Sequence, residues 1–356
     1  MKGLRSLVVV CLGLAPAWLQ AQHVGADSAA PPSPPPLEVR VDSSQHELVL
    51  TAGPFHLPVE PAEGEQTAMQ MTMDMASMEG IVLQRFMWPM ECWVRGLRVE
   101  LVDRQGHVLP RRLLHHLIMV NFARRQLIYP AAERVMGVAS ETDGGEITVP
   151  KTIGIPMHVG HGLGVYVMWH NPTGRDIDGV YWRMTVKWSP TNLQPRPISV
   201  LPIYMDTNMQ EDGNNEFSAP PGRTTKSFEF TLPVGGHLLG VGGHLHDYGS
   251  SVRLEDAETG KVLVTLRARR DSTGKLLGLE RKLFATRGEG LRIRANHRYR
   301  VVGEYDNPTR DTLPGAMAHM VGIFAPDDMT KWPKIDPTNR WYQKDLADLL
   351  GTGKSL

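Results

Sequence analysis

The chain has 356 residues, enough for two domains of ordinary size, each with its own core. Lys and Arg together number 38, Asp and Glu also number 38, and the two signs are interspersed. That balance leaves no polybasic face for nucleic acid or anionic lipid, so we expect neither as a partner. The 35 glycines and 27 prolines indicate a chain of short strands and frequent turns.

The first 21 residues have the form of a cleaved secretory signal. An apolar run from Leu7 to Ala17 follows two basic residues and is too short for a membrane span, and Leu19-Gln20-Ala21 suits signal peptidase. We therefore expect a secreted or periplasmic protein. After cleavage Cys92 is the only cysteine, so the mature chain forms no internal disulfide. Residues 22–36 are a Pro-rich leader with too little apolar content to pack.

From Leu37 onward, short segments rich in β-branched and aromatic residues alternate with turn residues, a pattern that predicts antiparallel strands. The segments of the first half are LEVRV, HELVLTA, CWVRGLRVELVD, LIMVNF, LGVYVMWH and VYWRMTVKW. The segments of the second half are KSFEFTLP, HLLGVGGHLHDYG, SVRLEDAETGKVLVTL, KLFAT, LRIRANHRYRVVGEYDN and AHMVGIFAP. A proline-rich crossover, Ser189 to Pro202, separates the two sets.

We therefore predict an all-β fold of two tandem antiparallel β-sandwich, jelly-roll-like domains, residues 37–195 and 196–330. The sequence around Glu258–Lys261 predicts a hairpin within the second domain. Residues 331–356 form a tail that is helical only at WYQKDLADLL, and we expect it to dock weakly or to stay free. Two strands end in Asn-Pro-Thr, at residues 171–173 and 307–309, which is consistent with related topologies but is a common turn sequence.

The segment GGHLHDYG carries His244 and His246, which point to the same face of a strand because side chains alternate with period two. Two converging imidazoles form half of a metal site, whereas paired surface histidines are the ordinary alternative. The small and apolar residues before them predict burial, where imidazoles without partners would cost stability, and this favours the ligand interpretation. His237 lies an odd number of residues from His244 and is expected to face away.

Three weaker signals lie elsewhere in the chain. His115 and His116 are adjacent, so they bind one ion only at a strand end or a bulge. His170 ends an apolar strand at a turn, where either a functional side chain or one bonded to nearby backbone is found. Met317 or Met320 offers a thioether. Two imidazoles with a thioether favour copper, although most methionines fill gaps in a core.

The order of these residues resembles the copper type II, ascorbate-dependent monooxygenases, the family of peptidylglycine α-hydroxylating monooxygenase and dopamine β-monooxygenase. The resemblance covers Leu113 to Pro326. It consists of His-His-Leu, an apolar strand ending in His-Asn-Pro, a proline-glycine turn, His-x-His, and a methionine before a short apolar strand. The stretches VASETDG, DIDGVYWRMTV and FSAPPGRTTKSFEF extend it.

This resemblance implies two copper ions per chain, each with three ligands. The ligands of an electron-donating copper in the first domain would be His115, His116 and His170, and those of an oxygen-activating, catalytic copper in the second would be His244, His246 and Met317. The implied reaction is hydroxylation of an unactivated C–H bond of a small organic or peptide substrate by O2, with ascorbate or another reductant as electron donor. The alternatives are a non-catalytic exported copper-binding or copper-buffering protein on the same fold, and, more distantly, a β-sandwich module with structural histidines.

The chain departs from the animal members in having no internal disulfide, so the loops that those bridges brace are shorter or packed in another way, and the substrate does not carry over. Some residues keep two interpretations. His158 and His161 are possible substitutes for His170, and His319 either orients a metal ligand through a hydrogen bond or is itself a substitute ligand. A period-two row of methionines forms either a Cu(I)-acquiring strip or a buried strand: Met69, Met71, Met73 and Met75.

Overall fold

The computed structural model describes residues 34–59, 83–140, 142–210, 215–286 and 289–350. The predicted signal, most of the Pro-rich leader and the methionine row between Met69 and Met75 lie outside these residues. Within them, no helix is both long and apolar enough to span a membrane.

The fold is all-β, as the sequence predicts, and every strand segment named above coincides with at least one strand. The strands are β1 (Leu37–Asp42), β2 (Glu47–Leu57), β3 (Gln84–Met87), β4 (Cys92–Val102), β5 (Leu114–Arg125), β6 (Ala132–Ala139), β7 (Glu146–Thr148), β8 (Ile153–Met157), β9 (Gly162–Trp169), β10 (Ile177–Pro190), β11 (Ile198–Ser199), β12 (Leu201–Asp206), β13 (Phe217–Ala219), β14 (Gly222–Thr231), β15 (Gly236–Leu245), β16 (Gly249–Asp256), β17 (Val262–Arg270), β18 (Leu276–Leu279), β19 (Lys282–Leu283), β20 (Leu291–Ile293), β21 (Arg298–Asn307), β22 (Leu313–Ala316) and β23 (Ala318–Pro326). The α-helix of the described part, α1, spans Arg340–Leu349.

The strands up to Ser199 pair with one another in two sheets. The larger sheet has the order β1-β2-β10-β4-β8-β11, with β7 paired to β4, and the smaller has the order β3-β9-β5-β6. Alternate side chains of β2 and β10 face the core, where Leu50 lies opposite Met184 and both are fully buried. This half is therefore a β-sandwich, whose one parallel contact in the described residues joins β11 to β8.

The strands from Leu201 onward pair among themselves. One sheet has the order β12-β23-β15-β19 with β20 paired to β15, a second has the order β14-β21-β16-β17-β18, and β13 pairs with β22. Strand partners thus change between Ser199 and Leu201, close to the predicted division between residues 195 and 196. That this division is a domain boundary stays a prediction. Most of the buried apolar side chains of both halves belong to one continuous cluster.

The hairpin predicted at Glu258–Lys261 connects β16 to β17, and Gly260 in it has a φ of 72°, which favours glycine. Of the two expectations for the tail, weak docking or no docking, the second is wrong for its described part, because α1 packs on the body of the protein. Tyr342 of α1 is buried against Val120 and Tyr166. Arg134 on β6 donates to both carboxylate oxygens of Asp345, at 2.8 and 2.5 Å. A helical pattern shows which face of the tail is apolar but not which surface receives it.

The two Asn-Pro-Thr turns have the same hydrogen bonds. In each, the asparagine amide donates to the carbonyl four residues later and to the last residue of another strand, and its Oδ1 accepts the N–H and the hydroxyl of the threonine. The residues are Asn171, Thr173, Arg175 and Leu57 in the first turn and Asn307, Thr309, Asp311 and Ala219 in the second. The echo in the sequence therefore corresponds to a shared local structure, and the first turn fixes the chain directly after His170.

Candidate metal centre

Five histidines from distant parts of the chain lie against one another: His115, His116, His244, His246 and His319. The ring centroids are 4.0 Å apart for the adjacent pair on β5 and 4.9 Å apart for the pair at the end of β15. Between the halves, His116 lies 4.8 Å from His244 and His115 lies 6.0 Å from His246. The two predicted ligand sets, expected in separate domains, therefore adjoin in one histidine cluster.

A β-bulge places the first pair on one side of β5. Leu114 pairs with Trp169 and His116 with Met168, so His115 is an extra residue opposite β9. The two rings are inclined by only 32°. The sequence argument required a strand end or a bulge for two adjacent histidines, and the start of β5 provides both.

His170 reaches the same end of this sheet through its backbone. It directly follows β9, and its N–H donates to the carbonyl of Leu113 at 3.1 Å, next to the start of β5. The alternatives to it, His158 and His161, lie in the connection between β8 and β9. His158 is 57 % exposed there, and its Nδ1 donates to Glu91 at 2.8 Å. The assignment of His170 as third ligand stays a prediction.

His246 is held in one tautomer by the backbone. Its Nδ1 lies 2.6 Å from the carbonyl oxygen of Gly315. Because a carbonyl only accepts, Nδ1 carries the proton and Nε2 carries the lone pair. Metal-binding imidazoles have this arrangement, in which the second nitrogen donates to a carbonyl or carboxylate.

One buried hydroxyl ties His246 to Met317. Tyr305 Oη accepts the N–H groups of His246 at 2.9 Å and of Met317 at 3.1 Å, and it donates to the Met317 carbonyl at 2.5 Å. Burial raises the pKa of Tyr305 above its usual value, so the hydroxyl stays neutral and keeps its donor. The tyrosine lies in EYDNPTR, and its role was not visible in the sequence because only the fold brings it to both segments.

His319 stands directly opposite His244 on the neighbouring strand, with ring centroids 5.2 Å apart. Its Nδ1 lies 3.2 Å from Tyr204 Oη, whose own proton goes to Asp206 Oδ2 at 2.7 Å. Nδ1 is therefore the donor, which leaves the lone pair on Nε2. Burial raises the pKa of Asp206 to about 6, although bonds from Tyr204 and other donors oppose this. The sequence named His319 as a candidate but not the tyrosine and aspartate that orient it.

The thioether of Met317 lines the same cavity as His244 and His319, and its Sδ accepts a hydrogen bond from Asn215 Nδ2 at 3.7 Å. Met320, the alternative, pairs with Gly243 across β15 and is fully buried in the core. The geometry therefore favours Met317 as the sulfur donor.

Burial lowers the pKa of His116 well below its ordinary value, and the neighbouring imidazoles of the cluster lower it further. The neutral imidazole that results is the form that binds a metal. Packing of the five rings thus favours the protonation state that ligation requires.

The cluster fits a metal by donor type and ring spacing. Two imidazoles bound to one ion at about 2.0 Å in a tetrahedral arrangement have ring centroids roughly 5 Å apart, and within the second set the rings of His246 and His319 lie 4.9 and 5.2 Å from that of His244. The side chains do not converge on one ion position, since among the described residues no group of three or more His, Cys, Asp or Glu is arranged to hold an ion. Imidazole and thioether donors without a carboxylate suit copper.

A cavity of about 990 Å³ opens beside the cluster. Both halves line it, with His116 and Trp169 from the first and His244 and Met317 from the second, and Trp341 of α1 adds another part of the wall. This volume lies at the upper end of the range for small-molecule sites, roughly 300–1,000 Å³. The metal candidate and a substrate-sized space therefore share one surface.

No family model matches the chain, and no curated protein matches it. Among solved structures, a chain from the atomic structure of Sulfolobus Turreted Icosahedral Virus is similar at 10% identity and a TM-score of 0.35, covering 76% of this chain and 93% of that one. PNGF-II is similar at 7% identity and a TM-score of 0.27, covering 68% and 59%. The Faustovirus major capsid protein is similar at 9% identity and a TM-score of 0.23, covering 85% and 81%. At TM-scores this low, these likenesses carry no argument about this chain.

Proposed function

We propose that the protein is an exported copper-dependent monooxygenase whose metal centre is the histidine cluster with Met317. The observation that supports this most is the convergence of His115 and His116 with His244 and His246 beside one cavity. Such residues from distant strands meet only because the fold brings them together. A metal bound by several of these imidazoles would stabilise the fold, since metal binding to the folded chain adds to its stability.

The two donor sets differ in chemistry. His115, His116 and His170 offer imidazole nitrogen alone, whereas the second set adds the softer sulfur of Met317, and we place His319 there as a further donor. Bound copper would supply the one-electron and oxygen chemistry that protein side chains lack. The chain itself lowers the pKa of His116 and so keeps that imidazole neutral, fixes the protonated nitrogen of His246 and His319, and shields the reacting bond within the cavity.

The overall reaction inserts one oxygen atom of O2 into a C–H bond and reduces the other to water. It consumes two electrons and two protons, for which ascorbate or another two-electron reductant is the proposed source. The rings of His116 and His244 adjoin at 4.8 Å, so the two sets are in contact through one pair of rings.

Copper stoichiometry of the purified mature protein tests the proposal. We expect near two ions per chain, and about one in His170→Ala and in His244→Ala, because each substitution removes a ligand of one set. His237→Ala is the matched control, since His237 lies on the same strand as His244 but pairs with Arg292 and Ala325 at its other end. Absence of bound copper, or equal loss in the His237 variant, would refute the assignment.

The number of imidazoles in the cluster also suits a second candidate, a copper-buffering protein, because it offers more donors than a single ion takes. Oxygen uptake driven by ascorbate separates the two. An enzyme consumes more O2 when a substrate is added and forms a hydroxylated product, whereas a buffer protein shows no uptake coupled to substrate.

A further inference from the structure

Arg95 is the extra residue of a second β-bulge, on β4. Gly96 pairs with Lys187 and Val94 pairs with Trp188, so Arg95 has no opposite residue on β10. Its carbonyl accepts the N–H of Val149 at 2.8 Å, and its side chain lines the cavity described above. Bulges turn a side chain out of the regular alternation and are frequent beside binding sites.

The guanidinium of Arg95 has no hydrogen bond or ion pair with any described residue, and its Nε is buried without a partner. Burial lowers the pKa of Arg95, and no carboxylate offsets this. By contrast, Arg134 and Lys344 on the same cavity pair with Asp345 and Asp348 at 2.5 and 2.9 Å. A partly desolvated cation without a counter-charge costs stability, so its presence indicates an anionic ligand.

The surroundings of Arg95 indicate what the rest of that ligand is. Val94, Ile147, Val149 and Ile155 line the cavity beside it, and all are apolar. The same cavity continues to His116, His244 and Met317. A molecule that fills it therefore carries one anionic end and an apolar body that extends toward the histidine cluster.

We propose that the cavity binds an amphipathic carboxylic acid of the fatty-acid type, with its carboxylate on Arg95 and its hydrocarbon chain toward the cluster. Guanidinium groups bind carboxylates with short, charge-assisted and often bidentate hydrogen bonds. The identification of this acid as the substrate rests on the proposed function, whereas its binding does not require copper. The distance of the oxidised carbon from the carboxylate is then set by the span between Arg95 and the second ligand set.

Calorimetric titration of the purified protein with octanoate and with octanamide tests this inference. The two probes share their hydrocarbon chain and differ in charge. We expect octanoate to bind at least tenfold more tightly than octanamide, and Arg95→Gln to remove this preference by weakening octanoate about tenfold or more while leaving octanamide unchanged. Arg95→Lys keeps the charge without the planar fork and should retain part of the preference.

Arg98→Gln is the matched control, because Arg98 lies on the same strand, is 45 % exposed and has Glu100 nearby. It should bind both probes as the parent protein does. Removal of an unpaired cation should also leave the melting temperature of Arg95→Gln unchanged or raised, which separates lost binding from lost folding. The inference fails if the parent protein binds octanoate no better than octanamide, or if Arg95→Gln binds octanoate normally. Copper content of the same samples reports separately on the metal centre.

Discussion

The two proposed ligand sets of the histidine cluster are positioned by different means. His115 and His116 depend on the backbone, since a single extra residue opposite β9 turns two adjacent side chains to one side. His246 and His319 instead depend on hydrogen bonds to Gly315 and to Tyr204, with a buried hydroxyl between His246 and Met317. The comparison shows that strand register alone can position the pair His115 and His116. The other set is oriented by hydrogen bonds from groups on several strands.

The largest expected effect comes from Tyr305→Phe. This substitution removes the hydroxyl that donates one hydrogen bond and accepts two in the second set. The N–H groups of His246 and Met317 would lose their partner, so we expect the free energy of unfolding to fall by about 2–4 kcal/mol and copper of the second set to be lost. Urea unfolding and metal analysis measure the two effects.

Tyr299→Phe on the same strand is the control for this substitution. Tyr299 is also buried, and among the described residues its hydroxyl has one hydrogen bond, accepted from the N–H of Arg294 at 2.8 Å. We expect a loss of about 1 kcal/mol and unchanged copper. Equal copper loss in both variants would mean that Tyr305 acts through general stability and not through the positions of His246 and Met317.

A smaller effect is expected from Tyr204→Phe, which removes the acceptor that orients His319. Loss of such an outer partner typically weakens metal binding by roughly 10–100-fold, here in the second set alone. Competition with a Cu(I) chelator measures the affinity of each site.

Tyr129→Phe is the matched control for Tyr204, because its hydroxyl bonds the backbone of Asp206 at 2.9 and 3.3 Å and its ring adjoins that of Tyr204 at 6.1 Å. It should leave copper affinity unchanged. If Tyr204→Phe binds copper as the parent does, His319 is not a ligand.

The smallest expected effect is on the pH dependence of the free energy of unfolding. Its measurement separates loss of the metal from loss of the folded state. Burial would raise the pKa of Asp256 in the β16–β17 hairpin, but bonds from His297 at 2.9 Å and from the N–H groups of Glu258 and Thr259 outweigh it, and the pKa is about 2. The folded pKa lies below the ordinary value of 3.8, so ionised Asp256 stabilises the fold above about pH 4, and this contribution is lost as the pH falls toward 2.

Asp256→Asn should therefore flatten the dependence of unfolding free energy on pH between about 4 and 2. Copper release, which follows protonation of imidazoles, should occur at higher pH and be the same in parent and variant. Chemical denaturation at several pH values, with copper content measured alongside, checks both statements. A pH profile that stays as steep in the variant would exclude Asp256 as the source.

The sequence predicted the all-β fold because period-two alternation is a local property of each strand. It also pointed to His244 and His246, whose spacing follows from the same alternation. The bulges at His115 and Arg95 were not predictable, since a bulge is defined by the partner strand and not by its own residues. The contact between His116 and His244, the docking of α1 and the role of Tyr305 depend likewise on packing between elements far apart in the chain.

The central claim is that both ligand sets hold copper beside one cavity, and anomalous X-ray diffraction at the copper edge from copper-loaded crystals tests it most directly. The account predicts two peaks, one at the nitrogens of His115 and His116 and one at His244, His246 and the sulfur of Met317, roughly 10 Å apart or less given ligand bonds of about 2 Å. Copper bound elsewhere, or a Met317 sulfur turned away from the two imidazoles of a fully loaded protein, would contradict it.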